Sequence, residues 1–315
     1  MNKLLLEFDL SGAEWVVVAY KSNDSNMIGV VESGKSPHVV TGSLISNIPE
    51  DLVQQEHKLI GSMTDATEIT KLREDELADL YLFPQAFLPR TMSIRQAGKK
   101  SNHGLNYGMK YRKFALLNEI PENDALVMCS AYAEVAYPGI QNYWSETREQ
   151  LKKDRTLVNC FGRKVKLRGE WGNDLFMEAY SYVPQSTVVD SVNEAMCQVF
   201  DNEEPIFVPM ELGAQVHDSL MLQYPVPVYS REWDDLASFC LRVKEYMRPE
   251  LEYSGHKFRL NSDLKVGISW GDMHEIKMSA PDFISQIQNA YTSLQSQKNS
   301  LQASPEEFLE VEAAE

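Results

Sequence analysis

The sequence predicts an α+β protein, and three observations carry that prediction. Near the N-terminus Leu4, Leu6 and Phe8 alternate with Leu5 and Glu7, the period-two pattern of a strand. Further on, Ala214-Gln215-Val216 and Leu220-Met221-Leu222 flank His217-Asp218 as strand, turn and strand. Between these, helical spacing dominates, most clearly over Ser93–Tyr107, Glu122–Ala136 and Ile140–Lys153.

The remaining elements follow in order. Asp9 ends the first strand, and Glu14–Tyr20 reads as the start of a helix. Residues 21–44 read as turn-rich, with Gly29, Gly34, Pro37 and Gly42 breaking regular structure. Pro49–Leu82 is mixed helical, and Phe83–Pro89 is a break before a helix capped by Ser93. Thr156–Lys166 reads as a hairpin around Phe161-Gly162-Arg163, with a helix from about Ser186 to Phe200. Another helix spans about Glu232–Met247, and Leu264–Ile268 closes as a strand. From about Asp282 a loose helix runs into a tail rich in Ser, Gln, Ala and Glu, expected to be flexible and acidic.

Composition excludes several classes. The 315 residues suffice for one sizeable core or two modest ones, and 43% apolar with 24% charged residues is ordinary for a globular chain. No run approaches the ~18 apolar residues of a membrane span, so no membrane partner is expected. Glu7 comes too early for a signal peptide's apolar region. Cys129, Cys160, Cys197 and Cys240 lie far apart and read as reduced thiols of a cytoplasmic protein. A net charge of −16 argues against nucleic acid as a bulk number. Its distribution argues otherwise: Phe87–Lys113 holds no acid, but does hold Arg90, Arg95, Lys99, Lys100, Lys110, Arg112 and Lys113. The local field of such an island suits phosphates, although a solvated stripe would have the same composition.

The chemistry-bearing residues then fall into an ordered set. Asp9-Leu10-Ser11-Gly12-Ala13-Glu14 follows Asp-x-Ser-x-x-Glu at a strand end. Arg95-x3-Lys99-x7-Tyr107-Gly108, with Asn102 and Gly104, follows on one helix. Phe161-Gly162-Arg163, Pro184-Gln185-Ser186-Thr187, Gln215-Val216-His217-Asp218 and Lys265-Val266-Gly267-Ile268-x-Trp270 complete it. In kind and order these resemble the motifs of family A (bacterial polymerase I-like) DNA polymerases over residues 1–275, in a phage-type variant. The resemblance implies a polymerase palm, a small antiparallel sheet flanked by helices, with an inserted helical fingers subdomain. On this basis residues 1–25 and 136–280 are palm, and 26–135 are fingers with an insertion at about 43–90. Residues 281–315 are the tail.

Template-directed nucleotide transfer needs charge neutralised on a triphosphate and an in-line hydroxyl rather than covalent help. Two carboxylates on neighbouring strand ends can hold two metal ions ~3.5–4 Å apart. The resemblance makes Asp9 and Asp218 those ligands, and hard oxygen donors suit two Mg²⁺ ions. Read singly, each would be an ordinary strand-end aspartate capping a turn.

Arg95, Lys99, His103 and Tyr107 recur every fourth residue and share one helix face, drifting only about 40° per step. A triphosphate can lie along Arg95 and Lys99 while the base stacks near His103 and Tyr107; Lys99 is counted among the catalytic residues with Asp9 and Asp218. His38, in Lys35-Ser36-Pro37-His38, resembles the family histidine that reaches the triphosphate, with Ser36 where the family has Asp. By resemblance Glu14 forms the floor under the sugar that excludes a 2′-hydroxyl. Arg163, Gln185, Gln215 and His217 are the expected DNA contacts, Gln185 in the minor groove.

Several positions depart from the family. His103 stands where Phe or Tyr is usual, and Met177 and Ser181 stand where template-contacting polar residues are usual. Ser219 stands where family A has Glu, making His217-Asp218-Ser219, a triplet favoured by single-subunit RNA polymerases. Three readings follow: a DNA-directed DNA polymerase core, an RNA polymerase fragment, and a non-catalytic DNA-binding remnant. With eight residues before Asp9, thumb and exonuclease are expected on a second polypeptide of a split, phage-encoded enzyme working in the bacterial host cytoplasm, the alternative being a truncated fragment. Primer-template DNA and dNTPs are the other expected partners.

Overall fold

The computed structural model describes residues 3–77, 88–118 and 120–302, with side chains up to residue 296. Strand β1 (Lys3–Leu10) leads to helices α1 (Ala13–Lys21), α2 (Ser25–Glu32), α3 (Pro37–Ser46), α4 (Glu50–Ile60) and α5 (Ala66–Glu76). Then come α6 (Ile94–Asn106), α7 (Tyr111–Asn118), α8 (Glu122–Ser130), a π turn at Ala131–Ala136, and α9 (Gly139–Asp154). Hairpin β2 (Thr156–Val158) and β3 (Lys164–Lys166) precedes α10 (Asn173–Phe200), β4 (Glu211–Val216) and β5 (Ser219–Pro225). The chain continues through α11 (Ser230–Tyr246), β6 (Leu251–Tyr253), β7 (His256–Phe258), β8 (Ser262–Ser269), β9 (Asp272–Ile276) and α12 (Phe283–Gln302). The fold is α+β, as the sequence predicts. Among the described residues no helix is long and apolar enough to cross a membrane.

Two compact units result: Met1–Ser11, Val188–Glu250 and Arg259–Glu315 form the first, and Gly12–Thr187 with Leu251–Phe258 the second. The first is built on an antiparallel sheet of order β4-β5-β1-β8-β9. Alternation along β1 buries Leu4, Leu6, Phe8 and Leu10 to 1% exposure or less and turns Glu7 and Asp9 to the other face. Leu220 and Leu222 of β5 and Leu264 and Val266 of β8 are buried as fully. Phe239 of α11 packs on Tyr224 of β5, ring centroids 4.9 Å apart, while α12 packs along β8 and β9.

The second unit is mostly helical and turns on the crossing of α3 and α6. Glycines bring the two backbones together: a Cβ at Gly42 would sit 2.9 Å from the Ile94 carbonyl oxygen, and one at Gly98 would collide with that of His38. Val39, Ile48, Val53, Leu77 and Ile94 form the apolar cluster beneath, joining α3, α4 and α6. The β6–β7 hairpin packs on α1, Phe258 stacking on Tyr20 at 4.1 Å.

The structure corrects two readings. Residues 21–44 hold α2 and α3 rather than turns, because Asp24 caps the Asn26 and Met27 amides and Pro37 opens α3. Gly29 faces open space, and Gly42 is the crossing point just described. Helix α10 begins at Asn173, not about Ser186, and runs through Pro184. Proline removes the amide that would bond the Tyr180 carbonyl one turn back, and the Tyr143 hydroxyl donates to that carbonyl instead at 2.6 Å. Helix α7 and strands β6, β7 and β9 had no clear sequence signal, the strands being short or edge elements. Phe83–Phe87 and the tail beyond residue 302 lie outside the described residues.

Candidate active site

In the first unit, register places the carboxylates. Asp9 lies opposite Ser219 of β5 and Asp263 of β8, and the Leu10 amide donates to the Asp218 carbonyl at 3.1 Å. Asp218 thus sits in the β4–β5 turn beside the end of β1, after His217 in a left-handed conformation (φ 53°). The Asp9 carboxyl is pushed up to about 6, first by burial, then by the Asp218 charge, with smaller contributions from Glu7 and Asp263. Lys265, whose ammonium donates to Glu7 at 2.9 Å, pulls the other way. Gln215 is half-buried on β4, His217 is exposed, and the buried Ser219 hydroxyl donates to the Val216 carbonyl at 3.0 Å.

This electrostatics has a stability consequence. Unfolded, Asp9 ionises near 3.8; folded and metal-free, it holds its proton to about 6. A raised carboxyl pKa means stability is lost as pH climbs through that window and stays lost above it. In chelator, the melting temperature of Asp9→Asn should therefore pull ahead of wild type between about pH 4 and 6 and keep a constant lead to pH 8. Thermal unfolding across that range checks it.

In the second unit, α6 presents the cationic face. Ser93 caps it, accepting from the Gln96 amide at 3.2 Å. Asn102 is buried and ties α6 to its neighbours: its carbonyl accepts from Thr41 at 2.7 Å and Tyr132 at 2.9 Å, and its amide donates to the Pro37 carbonyl at 3.0 Å and His38 Nδ1 at 3.2 Å. His38 Nδ1 is therefore an acceptor, and the ring is neutral with its proton on Nε2. Burial, then Arg95 and Lys99, hold it down at about 4. Arg95 is itself lowered by burial.

At the other end of α6 the Tyr107 hydroxyl donates to Glu14, and His103 Nδ1 lies 3.6 Å from the same carboxylate oxygen. His103 meets Tyr107 edge-on at 5.3 Å. Burial first, then Glu14, raise Tyr107 well above the usual phenol range, so it acts as a fixed donor. Glu14, His103 and Tyr107 are thus one connected group. The β2–β3 turn that carries Arg163 meets α10, which carries Gln185: Asn159 donates to Ser186 at 3.2 Å, and Tyr182 donates to the Arg163 carbonyl at 3.3 Å.

Three neighbouring residues had no motif to reveal them. Asp263 joins the Asp9 end of the sheet by register and accepts a hydrogen bond from Ser11. Glu56 and His57 of α4 meet the start of α6: Glu56 accepts from the Ile94 amide at 2.8 Å, and His57 contacts Ser93 and Arg95. The available signal was an acid on an apolar stripe, since Val53, Glu56 and Ile60 share the buried face of α4.

Among the described residues no three His, Cys, Asp or Glu side chains group as a complete metal-binding set. Asp9 and Asp218 still fit a hard divalent cation: both offer oxygen donors, and their mutual repulsion is what such a cation would relieve. Water and substrate oxygens would complete the coordination.

The pattern defining DNA polymerase family A matches residues 83–272, more than half of the sequence. The chain belongs to DNA polymerase family A. It is 25% identical over 231 residues to the thermostable DNA polymerase I of Thermus aquaticus, covering 70% of this chain and 23% of that protein. DNA polymerase I of Treponema pallidum is 23% identical over 280 residues, 86% of this chain and 23% of that protein. DNA polymerase theta of Caenorhabditis elegans is 23% identical over 282 residues, 86% of this chain and 14% of that protein. The chain therefore spans about a quarter or less of the length of these relatives. Its fold is similar to the POL domain of Pol1 from M. smegmatis, solved in complex with DNA primer-template and dNTP. There the TM-score is 0.62 at 19% identity, over 85% of this chain and 40% of that one.

Proposed function

We propose that this chain carries the nucleotidyl-transfer centre of a DNA-directed DNA polymerase. The observation that carries the reading is the placement of Asp9 and Asp218 together at the end of β1, where burial first, and then the Asp218 charge, raises the Asp9 carboxyl. Two Mg²⁺ ions bound there would neutralise triphosphate charge and favour the ionised primer hydroxyl. Arg95 and Lys99 bind the triphosphate, with Lys99 positioned to offset charge on the leaving pyrophosphate. Neutral His38 offers an N–H to the same phosphates. Its low pKa keeps it an uncharged donor at neutral pH. Glu14, fixed by Tyr107, closes the space below the sugar, while His103 and Tyr107 face the base. Arg163, Gln185, Gln215 and His217 hold the primer-template. Membership in family A and the relatives' names support this reading, and the buried, backbone-bonded Ser219 is compatible with it.

The test is templated primer extension with deoxyribo- and ribonucleotides, run with the chain alone and with candidate partner polypeptides. Deoxynucleotide incorporation supports the reading, and a preference for ribonucleotides would replace it with an RNA polymerase. Absence of metal-dependent incorporation with any partner would leave a DNA-binding remnant. Glu14→Ala should raise ribonucleotide incorporation relative to deoxynucleotide by at least about tenfold, because the steric cost of the 2′-hydroxyl disappears. An unchanged ratio removes Glu14 from sugar selection.

A further inference from the structure

We propose that His57, on helix α4 of the insertion before α6, is a positioning residue for the nucleotide-binding guanidinium of Arg95. The inference rests on the reading of Arg95 as a triphosphate ligand and extends it to a residue for which the sequence motifs give no role.

The hydrogen bonds define the device. His57 Nδ1 lies 2.8 Å from the Ser93 hydroxyl, and its Nε2 lies 3.2 Å from an Arg95 terminal nitrogen. A guanidinium only donates, so Nε2 must accept with its lone pair. The imidazole proton then resides on Nδ1 and is donated to Ser93, whose oxygen also accepts from the Gln96 amide at 3.2 Å. One ring thus connects the cap of α6 to the arginine at the second residue of that helix.

The helix carrying His57 is itself anchored at the same place. Glu56 accepts from the Ile94 amide and from Arg73 Nε at 3.1 Å, and Arg73 reaches on to the Pro89 and Met92 carbonyls. Glu56 is 0% exposed and Arg73 3%. The ring therefore stands on a fixed base beside a long cationic side chain that would otherwise sample many rotamers. Holding Arg95 by one donor restricts those rotamers in advance while its remaining donors stay available to phosphate oxygens.

The experiment is steady-state dNTP incorporation by the active enzyme containing this chain, with His57→Leu, His57→Gln, Arg95→Ala and the Leu/Ala double variant. Loss of the acceptor in His57→Leu should raise the KM for dNTP about tenfold with kcat nearly unchanged. His57→Gln, whose side-chain carbonyl can still accept from Arg95, should recover most of that loss. In the Arg95→Ala background His57→Leu should add nothing. The proposal is overturned if His57→Leu leaves KM unchanged while Arg95→Ala raises it, if Gln behaves like Leu, or if the two effects multiply. An Arg95→Ala enzyme with wild-type KM would instead overturn the triphosphate reading of Arg95. Independently of activity, nitrogen-15 shifts of His57 in the full chain should report a neutral ring protonated on Nδ1. A proton on Nε2 overturns the geometry directly.

Discussion

Replacing Asp9 or Asp218 with Ala lowers primer extension by on the order of a thousandfold or more, while primer-template affinity stays at or slightly above wild type. The size follows from what is removed. On the proposed reading each carboxylate supplies oxygen donors for cations whose charge the transferring phosphoryl group needs in the transition state, and neither contacts the duplex. Both substitutions also remove negative charge from a surface meant to meet a polyanion, so tighter DNA binding is compatible with lost chemistry. Asp9→Ala has a distinguishing mark: it removes a carboxyl that burial, and then the Asp218 charge, pushes up to about 6, so the metal-free variant should melt above wild type at pH 8. Primer extension, a filter-binding titration and thermal melts check the three parts. Extension within tenfold of wild type for either variant would defeat the metal-site assignment.

Cutting the ion pair under α6 has the largest expected effect on stability. Arg73→Met leaves Glu56, which has no exposed surface, with the Ile94 amide and without its cation. Burial already raises the Glu56 pKa despite Arg73, so the lost partner is felt in full. Breaking such a pair costs about 3–5 kcal/mol, a fall in melting temperature of roughly 6–20 °C for a unit of this size. Glu56→Leu combined with Arg73→Met should recover part of the loss, because no buried charge remains, but not all of it. The Ile94 amide would still be orphaned, at about 1–3 kcal/mol. A double-mutant cycle by thermal or denaturant unfolding measures the coupling. If Arg73→Met unfolds at the wild-type temperature, the pair is not holding α4 and α5 to α6.

Much of this protein could be read without coordinates. The alternation of Leu4, Leu6 and Phe8, the break at His217-Asp218, the four-residue recurrence of Arg95, Lys99, His103 and Tyr107, and the Ser93 cap all lie within one strand or a few turns. Their free energies are local, so the pattern and the structure agree. The ordered motifs likewise grouped Asp9 with Asp218, and sheet register brings the two to one end of β1.

Other features depend on partners distant in the chain. Pro184 reads locally as a helix stop, yet α10 continues because a hydroxyl 37 residues from Tyr180 satisfies the orphaned carbonyl. Gly42 reads as a breaker, yet it lies inside α3 where Ile94 of α6 leaves no room for a side chain. Asp263 comes opposite Asp9 only through the register of β8, and His57 faces Arg95 only because Glu56 and Arg73 seat α4 at the start of α6. Composition and periodicity establish which elements form and which of their faces are polar. Which polar groups then lose water together, and which hydrogen bonds offset that loss, is settled by packing between segments remote in sequence, and that is where the pKa values and the donor–acceptor roles of this site originate.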